Sequence, residues 1–120
     1  MVDKMRELEK FFKALSDLGR LRILNLFFYT DKLYPCEIEN ILNMSQTRIS
    51  RNLNILLDAG FLKHKREGKY VCYSLIDNFD KGLANFLKGK LKDFEQIRTD
   101  HERLISFKTR KTSMICKNDI

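Results

Sequence analysis

Apolar residues near the start of the chain recur every three or four positions, which is the spacing of one helix face. A first set predicts a helix over 3–16, and a second set, beyond the interrupting stretch SDLGR, predicts a helix over 19–29. The two sets are Met5, Leu8, Phe12 and Leu15, and then Leu21, Leu24 and Phe28.

Two short helices joined by a tight turn follow. The third helix begins at Pro35, because proline suits the first turn, where its missing N–H costs nothing. Asn43 and Met44 form the turn. Ser45 is a good N-cap for a fourth helix over 46–59, since its hydroxyl can accept from a free N–H of the first turn.

The period changes after Gly60, which ends the fourth helix. Side chains then alternate along FLKHKREGKYVCYSL, so a β-hairpin with its tip at REGK is predicted. From Asp80 the helical period returns, and one long helix is predicted to about residue 107. This order predicts a mostly α fold with a β-hairpin wing (α+β), a winged helix-turn-helix. We expect one domain over 1–107 and a basic tail over 108–120.

The fourth helix has two distinct faces. Ile49, Leu53 and Leu56 share the apolar one, while polar side chains that can hydrogen-bond to bases or phosphates share the other. The predicted DNA contacts on and before this helix are Ser45, Gln46, Thr47, Arg48, Ser50, Arg51 and Asn54. The alternative is a solvated helix face that happens to be polar.

The net charge of +7 is concentrated in the second half of the chain. Residues 44–75 hold six basic residues against Asp58 and Glu67. A basic patch of this kind favours a polyanion, either nucleic acid or an anionic membrane surface, and a merely solubilising surface is the alternative. In the wing, Lys63, Lys65, Arg66 and Lys69 are predicted to contact phosphates or the minor groove. A hairpin kept soluble by lysines is the alternative.

The cysteines, Cys36, Cys72 and Cys116, are odd in number and widely spaced. This usage predicts free thiols in a reducing compartment. No apolar run is long enough to span a bilayer, and the stretch VDKMRELEKF lacks the apolar core of a signal peptide. A cytoplasmic protein without a membrane partner is therefore expected.

Together these motifs resemble the ArsR/SmtB family of metal- and stress-sensing repressors. The resemblance covers about residues 8–76, through FFKALSDLGRLRILNLF and CEIENILNMSQTRISRNLNILLDAGFLKHKREGKYVCYSL. It implies a homodimer that binds a double-stranded DNA operator, represses transcription and is released by an effector. It also implies dimerisation through the first and last helices, for which the candidate residues are Leu8, Phe12, Leu83, Leu87, Leu91, Phe94 and Ile97. Packing of this stripe inside one chain is the alternative.

The resemblance is weakest at the effector site. Arsenic-sensing relatives carry Cys-x-Cys where this chain has Tyr34 and Cys36, and zinc-sensing relatives carry Asp-x-His where it has Asp77 and Phe79. Soft thiolates suit As(III) or a soft metal ion, and Cys36 with Cys116 is the candidate site. The alternative is incidental cysteines with another effector or none. Asn52 stands where many relatives have His, so an altered base preference is expected.

Two other functions are alternatives to a repressor. The first is a winged-helix module that binds an acidic protein partner and has no sequence-specific DNA binding. The second is an enzyme, but no nucleophile–base set, no paired catalytic carboxylates and no glycine-rich phosphate loop are visible in the sequence. An enzyme is therefore not expected.

Overall fold

The computed structural model describes residues 3–110, in which six helices and one antiparallel hairpin occur. The elements in chain order are α1 (Lys4–Leu15), α2 (Leu18–Phe27), α3 (Pro35–Leu42), α4 (Gln46–Asp58), β1 (Leu62–Glu67), β2 (Tyr70–Leu75), α5 (Lys81–Leu91) and α6 (Glu95–Arg110). The winged helix-turn-helix order predicted from the sequence is confirmed.

The helix α2 occupies the centre of the fold. All its residues from Ile23 to Phe27 are buried, and it packs against α1, α3, α4 and α6. The core around it is aliphatic, with Ile38 and Ile41 from α3 and Leu104 from α6 almost fully buried. Around α2, the helix α3 also packs against both α4 and α6.

The prediction of one long C-terminal helix is wrong. The chain bends at Lys92–Phe94, so that α5 ends at Leu91 and α6 starts at Glu95. The bend allows α6 to bury Ile97 and Asp100 against the rest of the chain. The helix α6 also runs to Arg110, three residues beyond the predicted end, and residues 111–120 of the predicted tail lie outside the described residues.

The turn between α3 and α4 depends on Asn43, which adopts a left-handed conformation with φ 57° and ψ 44°. Asparagine tolerates this conformation better than most residues. The last carbonyl groups of α3 accept hydrogen bonds from arginines of other helices: Leu42 O from Arg22 at 3.1 Å and Ile41 O from Arg103 at 3.4 Å. The α3 end of the turn is thus held by hydrogen bonds from α2 and α6.

The hairpin pairs β1 with β2 from Leu62 opposite Leu75 to Glu67 opposite Tyr70. Gly68 takes φ 65° in the connecting turn, where a residue without a side chain is favoured. The free edge of β2 is partly covered, because Leu33 and Tyr73 exchange two backbone hydrogen bonds of 3.0 and 2.8 Å. Within residues 3–110, no helix has both the length and the apolar character needed to cross a bilayer.

Candidate nucleic-acid interface

The start of α4 is shaped to present polar side chains to solvent. Ser45 caps the helix, and its Oγ accepts from the Arg48 N–H at 3.2 Å. The first turns carry no acidic residue that would repel a phosphate. The predicted contact residues of this region are all exposed, namely Ser45, Gln46, Thr47, Arg48, Ser50, Arg51 and Asn54.

The opposite face of α4 anchors the helix. Ile49, Leu53 and Leu56 are at most 1% exposed and belong to the main core. Burial of three such side chains fixes the rotation of the helix about its own axis. The exposed row is therefore presented in one orientation rather than as a mobile surface.

Asn52, for which an altered base preference is expected, is buried and does not lie in the exposed row of α4. Asn52 is 3% exposed, and its Oδ1 accepts from Arg20 Nη1 at 3.3 Å. Arg20 in turn donates to the carbonyl groups of Ala14 and Lys13, at 2.6 and 3.2 Å. Asn52 thus connects α4 to the α1–α2 corner and positions the helix from inside.

Arg48 lies against the start of α2. A Cβ at Gly19 would approach Arg48 Nη2 to 2.9 Å and Asn52 Nδ2 to 3.2 Å. The absence of a side chain at Gly19 therefore gives the Arg48 guanidinium room beside α2. This contact was not apparent from sequence periodicity, which reports faces of single helices.

The wing carries its four predicted basic residues at the surface. Lys63, Lys65, Arg66 and Lys69 are exposed. Lys63 Nζ forms an ion pair with Asp77 Oδ1 at 2.7 Å, so its charge is partly compensated. Arg66 points to the opposite face of β1 from Lys63 and Lys65, because alternate residues of a strand face opposite sides.

Glu67 fastens the tip of the wing to the body of the protein. Its carboxylate accepts a hydrogen bond from the Tyr34 hydroxyl and lies 3.3 Å from Lys32 Nζ. The hydrogen bond from Tyr34 and the neighbouring Lys32 hold the pKa of Glu67 below its ordinary value. The same hydrogen bond, with a smaller contribution from burial, raises the pKa of Tyr34 to about 12.

The described cysteines do not by themselves form a metal site. Cys36 is partly buried on the first turn of α3 and is disulfide-bonded in this structure, so the prediction of free thiols is wrong for Cys36. Cys72 is a free cysteine buried on β2, and burial raises the pKa of its thiol. Within residues 3–110, no group of three His, Cys, Asp or Glu side chains could hold a metal ion. The other residue of the predicted thiol site, Cys116, lies outside the described residues.

The residues predicted for dimerisation differ in exposure. Leu8, Phe12 and Phe94 are between 55% and 62% exposed, whereas Leu83 and Leu87 are partly buried against the core. Leu91 and Ile97 are buried within the single chain, so the described surface does not offer them to a partner. Their burial follows from the bend before α6, which turns that part of the stripe inward.

Phe86 was missed by the sequence analysis. It is 58% exposed on α5. The apolar stripe was followed through residues four positions apart, from Leu83 to Leu87, and Phe86 lies three positions after Leu83. The i, i+3 spacing could have identified it.

A polar, exposed α4 that follows a short helix and a tight turn, with a basic hairpin next along the chain, defines a winged helix-turn-helix of the kind found in DNA-binding transcriptional regulators. Residues 17–64 match the family described as bacterial regulatory protein, arsR family. The chain belongs to this ArsR family, whose members are transcriptional regulators and not enzymes.

Individual relatives support this assignment. The chain is 38% identical over 78 residues to a cadmium resistance transcriptional regulatory protein CadC homolog of Staphylococcus aureus. The aligned residues make up 65% of this chain and 64% of that relative, so the chain spans just under two thirds of the relative's length. It is 34% identical over 81 residues to the arsenical resistance operon repressor of Bacillus subtilis, covering 68% of this chain and 77% of that protein.

The fold also resembles solved structures. The homodimeric winged helix-turn-helix DNA-binding domain Mb0332 of Mycobacterium bovis superposes with a TM-score of 0.60 at 24% identity. The similarity covers 72% of this chain and 76% of that one.

Proposed function

We propose that this protein is a homodimeric transcriptional repressor that acts in the cytoplasm, binds a two-fold operator through α4 and the wing, and is released by an effector. The observation that carries the proposal is the row of exposed polar residues on α4, opposite a face that is fully buried. Arginine on such a row can donate two hydrogen bonds to guanine, and Gln46 can pair similarly with adenine.

The basic wing supports the same proposal. Lys65 and Lys69 are exposed, and neither forms an ion pair with another described residue. Each phosphate that such a residue neutralises contributes about −0.9 to the slope of log K against log salt concentration. Binding should therefore weaken steeply as salt rises.

Fluorescence anisotropy of the reduced protein on its own upstream DNA tests the proposal. A scrambled duplex of the same composition is the control for sequence selectivity. Arg51→Ala should weaken operator binding by about 1–3 kcal/mol if Arg51 reads a base, while Arg110→Ala at the end of α6 should leave the affinity unchanged. Equal affinity for both duplexes would instead favour the winged-helix module that binds a protein partner.

The proposed dimer uses the exposed apolar side chains of α1 and α5, chiefly Leu8, Phe12 and Phe86. A small domain gains core from a partner chain, and these side chains are exposed in the single chain. The solved domain Mb0332 of the same fold is described as homodimeric. Sedimentation velocity should give a dimer for the wild type and a monomer for Phe12→Glu, with Ile105→Glu on α6 as the matched control. A dimer that only Ile105→Glu dissociates would contradict the use of α1.

The proposed effector is As(III) or a soft metal ion bound through cysteine thiolates. Cys36 on α3 and Cys116 are the proposed ligands, and the cadmium and arsenical resistance regulators among the relatives support the class. The buried Cys72, with its raised pKa, is disfavoured as a thiolate. On fully reduced protein, arsenite should release the wild type and Cys72→Ser from DNA but not Cys36→Ser. Release of Cys36→Ser would exclude this site.

A further inference from the structure

The end of α2 and the start of α6 enclose a cavity of about 320 Å³, partly open to solvent and separate from α4 and the wing. Its volume lies at the lower end of the range for small-molecule sites, about 300–1,000 Å³. One wall is formed by Asn25 of α2 and by Tyr29, which follows α2. The other wall is formed by Ile97, Arg98 and His101 of α6. Lys92 and Glu102 complete the lining.

Asn25 is the unusual residue of this cavity. It is 2% exposed, and its side-chain carboxamide forms no hydrogen bond to another residue within 3–110. None of the described side-chain nitrogens and oxygens is both fully buried and unpaired, so the carboxamide keeps access to the cavity. Its α2 neighbours Leu24 and Leu26 are apolar and buried, and the Asn25 carboxamide is therefore the group of this part of α2 that can hydrogen-bond to a molecule in the cavity.

The charges around the opening favour an anion. Lys92 and Arg98 line it, and neither forms an ion pair with another described residue, although Arg98 Nη1 donates to the Asp93 carbonyl at 2.8 Å. Two more lysines lie close to Tyr29. Lys88 Nζ is 5.8 Å from the centre of the Tyr29 ring, and Lys108 Nζ donates to the Tyr29 carbonyl at 3.1 Å. Glu102 is the acidic residue of the lining.

The remaining lining favours a flat apolar body. The rings of Tyr29 and His101 meet edge to face, with their centres 4.7 Å apart, and Ile97 is buried beside them. Aromatic surfaces in this arrangement accept a further ring. We propose that the cavity binds a small aromatic carboxylate, with its ring against Tyr29 and Ile97, its carboxylate near Lys92 and Arg98, and a hydrogen bond to the Asn25 carboxamide.

This proposal concerns binding itself and is independent of whether the chain represses transcription. The direct test is an NMR titration of the full-length, 15N-labelled protein with phenylacetate, and with 2-phenylacetamide as the neutral probe of equal shape. Phenylacetate should shift the backbone amides of Asn25, Tyr29 and His101 saturably, with a Kd of about 1 mM or tighter. The neutral amide should bind at least about tenfold more weakly, because it lacks the charge that Lys92 and Arg98 attract.

Variants of the lining residues test whether the cavity binds phenylacetate specifically. Asn25→Leu removes the carboxamide that lines the cavity and keeps a side chain of similar size, so it should abolish binding without lowering the melting temperature. The double variant Lys92→Gln/Arg98→Gln should weaken binding at least about tenfold, and Lys81→Gln on the first turn of α5 should leave it unchanged. The proposal is overturned if phenylacetate produces no saturable shifts, if both probes bind equally, or if either pocket variant binds as the wild type does.

Discussion

The Arg22 guanidinium and the Asp100 carboxylate form a double ion pair between α2 and α6: Nε lies 2.9 Å from Oδ2 and Nη2 lies 2.9 Å from Oδ1. Asp100 is 1% exposed and also accepts from Gln96 Nε2 at 3.0 Å. Because Arg22 Nη2 donates to Leu42 O as well, the pair connects α6 to the turn that precedes α4. The position of the DNA-facing helix is thus coupled to the C-terminal helix through one buried contact.

Removal of one member of this pair should be strongly destabilising. Arg22→Met leaves a buried carboxylate and Asp100→Leu leaves a largely buried guanidinium, so each should lower the free energy of unfolding by about 3–5 kcal/mol. The double variant should recover most of that loss, because no charge is then left unpaired. Urea denaturation at one fixed protein concentration measures all three.

The exposed pair of Lys63 and Asp77 is the matched control for this prediction. Its side chains are 50% and 89% exposed despite a contact of 2.7 Å. Asp77→Ala should therefore cost less than about 1 kcal/mol. Equal losses for Asp77→Ala and Asp100→Leu would show that burial does not set the strength of the α2–α6 contact.

The contact of Glu67 with Tyr34 and Lys32 predicts a pH-dependent wing. Since the folded-state pKa of Glu67 is lowered, its contribution to stability is fully present above the unfolded pKa, close to the ordinary 4.5, and is lost as the pH falls through the folded value. Glu67→Gln should thus be less stable than the wild type at pH 7, and the difference should shrink as the pH falls below about 4.5.

Glu102→Gln provides the control for the wing measurement, since the exposed Glu102 carboxylate forms no hydrogen bond or ion pair with the described residues. Urea midpoints of both variants and the wild type, measured between neutral and acidic pH, separate the two cases. A Glu67→Gln deficit that stays constant down to acidic pH would contradict the role of the carboxylate charge.

The sequence alone predicted the order of elements through the hairpin and placed most helix ends within two residues. Local signals carry this information: Pro35 at the start of α3, Ser45 at the cap of α4 and the alternation around Tyr70–Leu75 each act on neighbouring residues only. The exposed row of α4 was predicted for the same reason, because it is a property of one helix.

The bend at Lys92–Phe94 and the buried polar residues could not be predicted in this way. An apolar stripe continues in period across the bend, and periodicity does not say whether the same chain or a partner covers it. Asn52 and Asp100 are polar, so the sequence alone predicts that they lie at the surface. They are buried because Arg20 and Arg22, which are distant in sequence, donate hydrogen bonds to their side chains.

Asn52 should affect DNA binding through the position of α4 rather than through base contact. Asn52→Ala removes the acceptor of Arg20 and leaves a space under the helix, so stability should fall by about 1–3 kcal/mol. The accompanying loss of DNA affinity should be the same for operators that differ in base sequence. Asn54→Ala, the same substitution on the exposed face, should change stability by less than about 0.5 kcal/mol.

Anisotropy on a small set of operator variants distinguishes these roles. If Asn52→Ala relaxes the preference at a single base pair, Asn52 reaches the DNA in the complex and the assignment as a positioning residue is wrong. If Asn54→Ala does so instead, the exposed row of α4 is the reading surface.

Ser45 allows the stability of α4 and its contact with DNA to be separated. The Ser45 hydroxyl accepts from the Arg48 N–H, so Ser45→Ala should lower the free energy of unfolding by about 1 kcal/mol. Ser45→Asp keeps a capping oxygen and adds a negative charge that favours the helix N-terminus, so its stability should equal or exceed that of the wild type. The same charge would face the phosphates, and DNA affinity should fall. Thermal unfolding measures the first effect and fluorescence anisotropy the second. If the Ser45→Asp variant is stable and binds the operator as tightly as the wild type, the start of α4 does not approach the phosphate backbone.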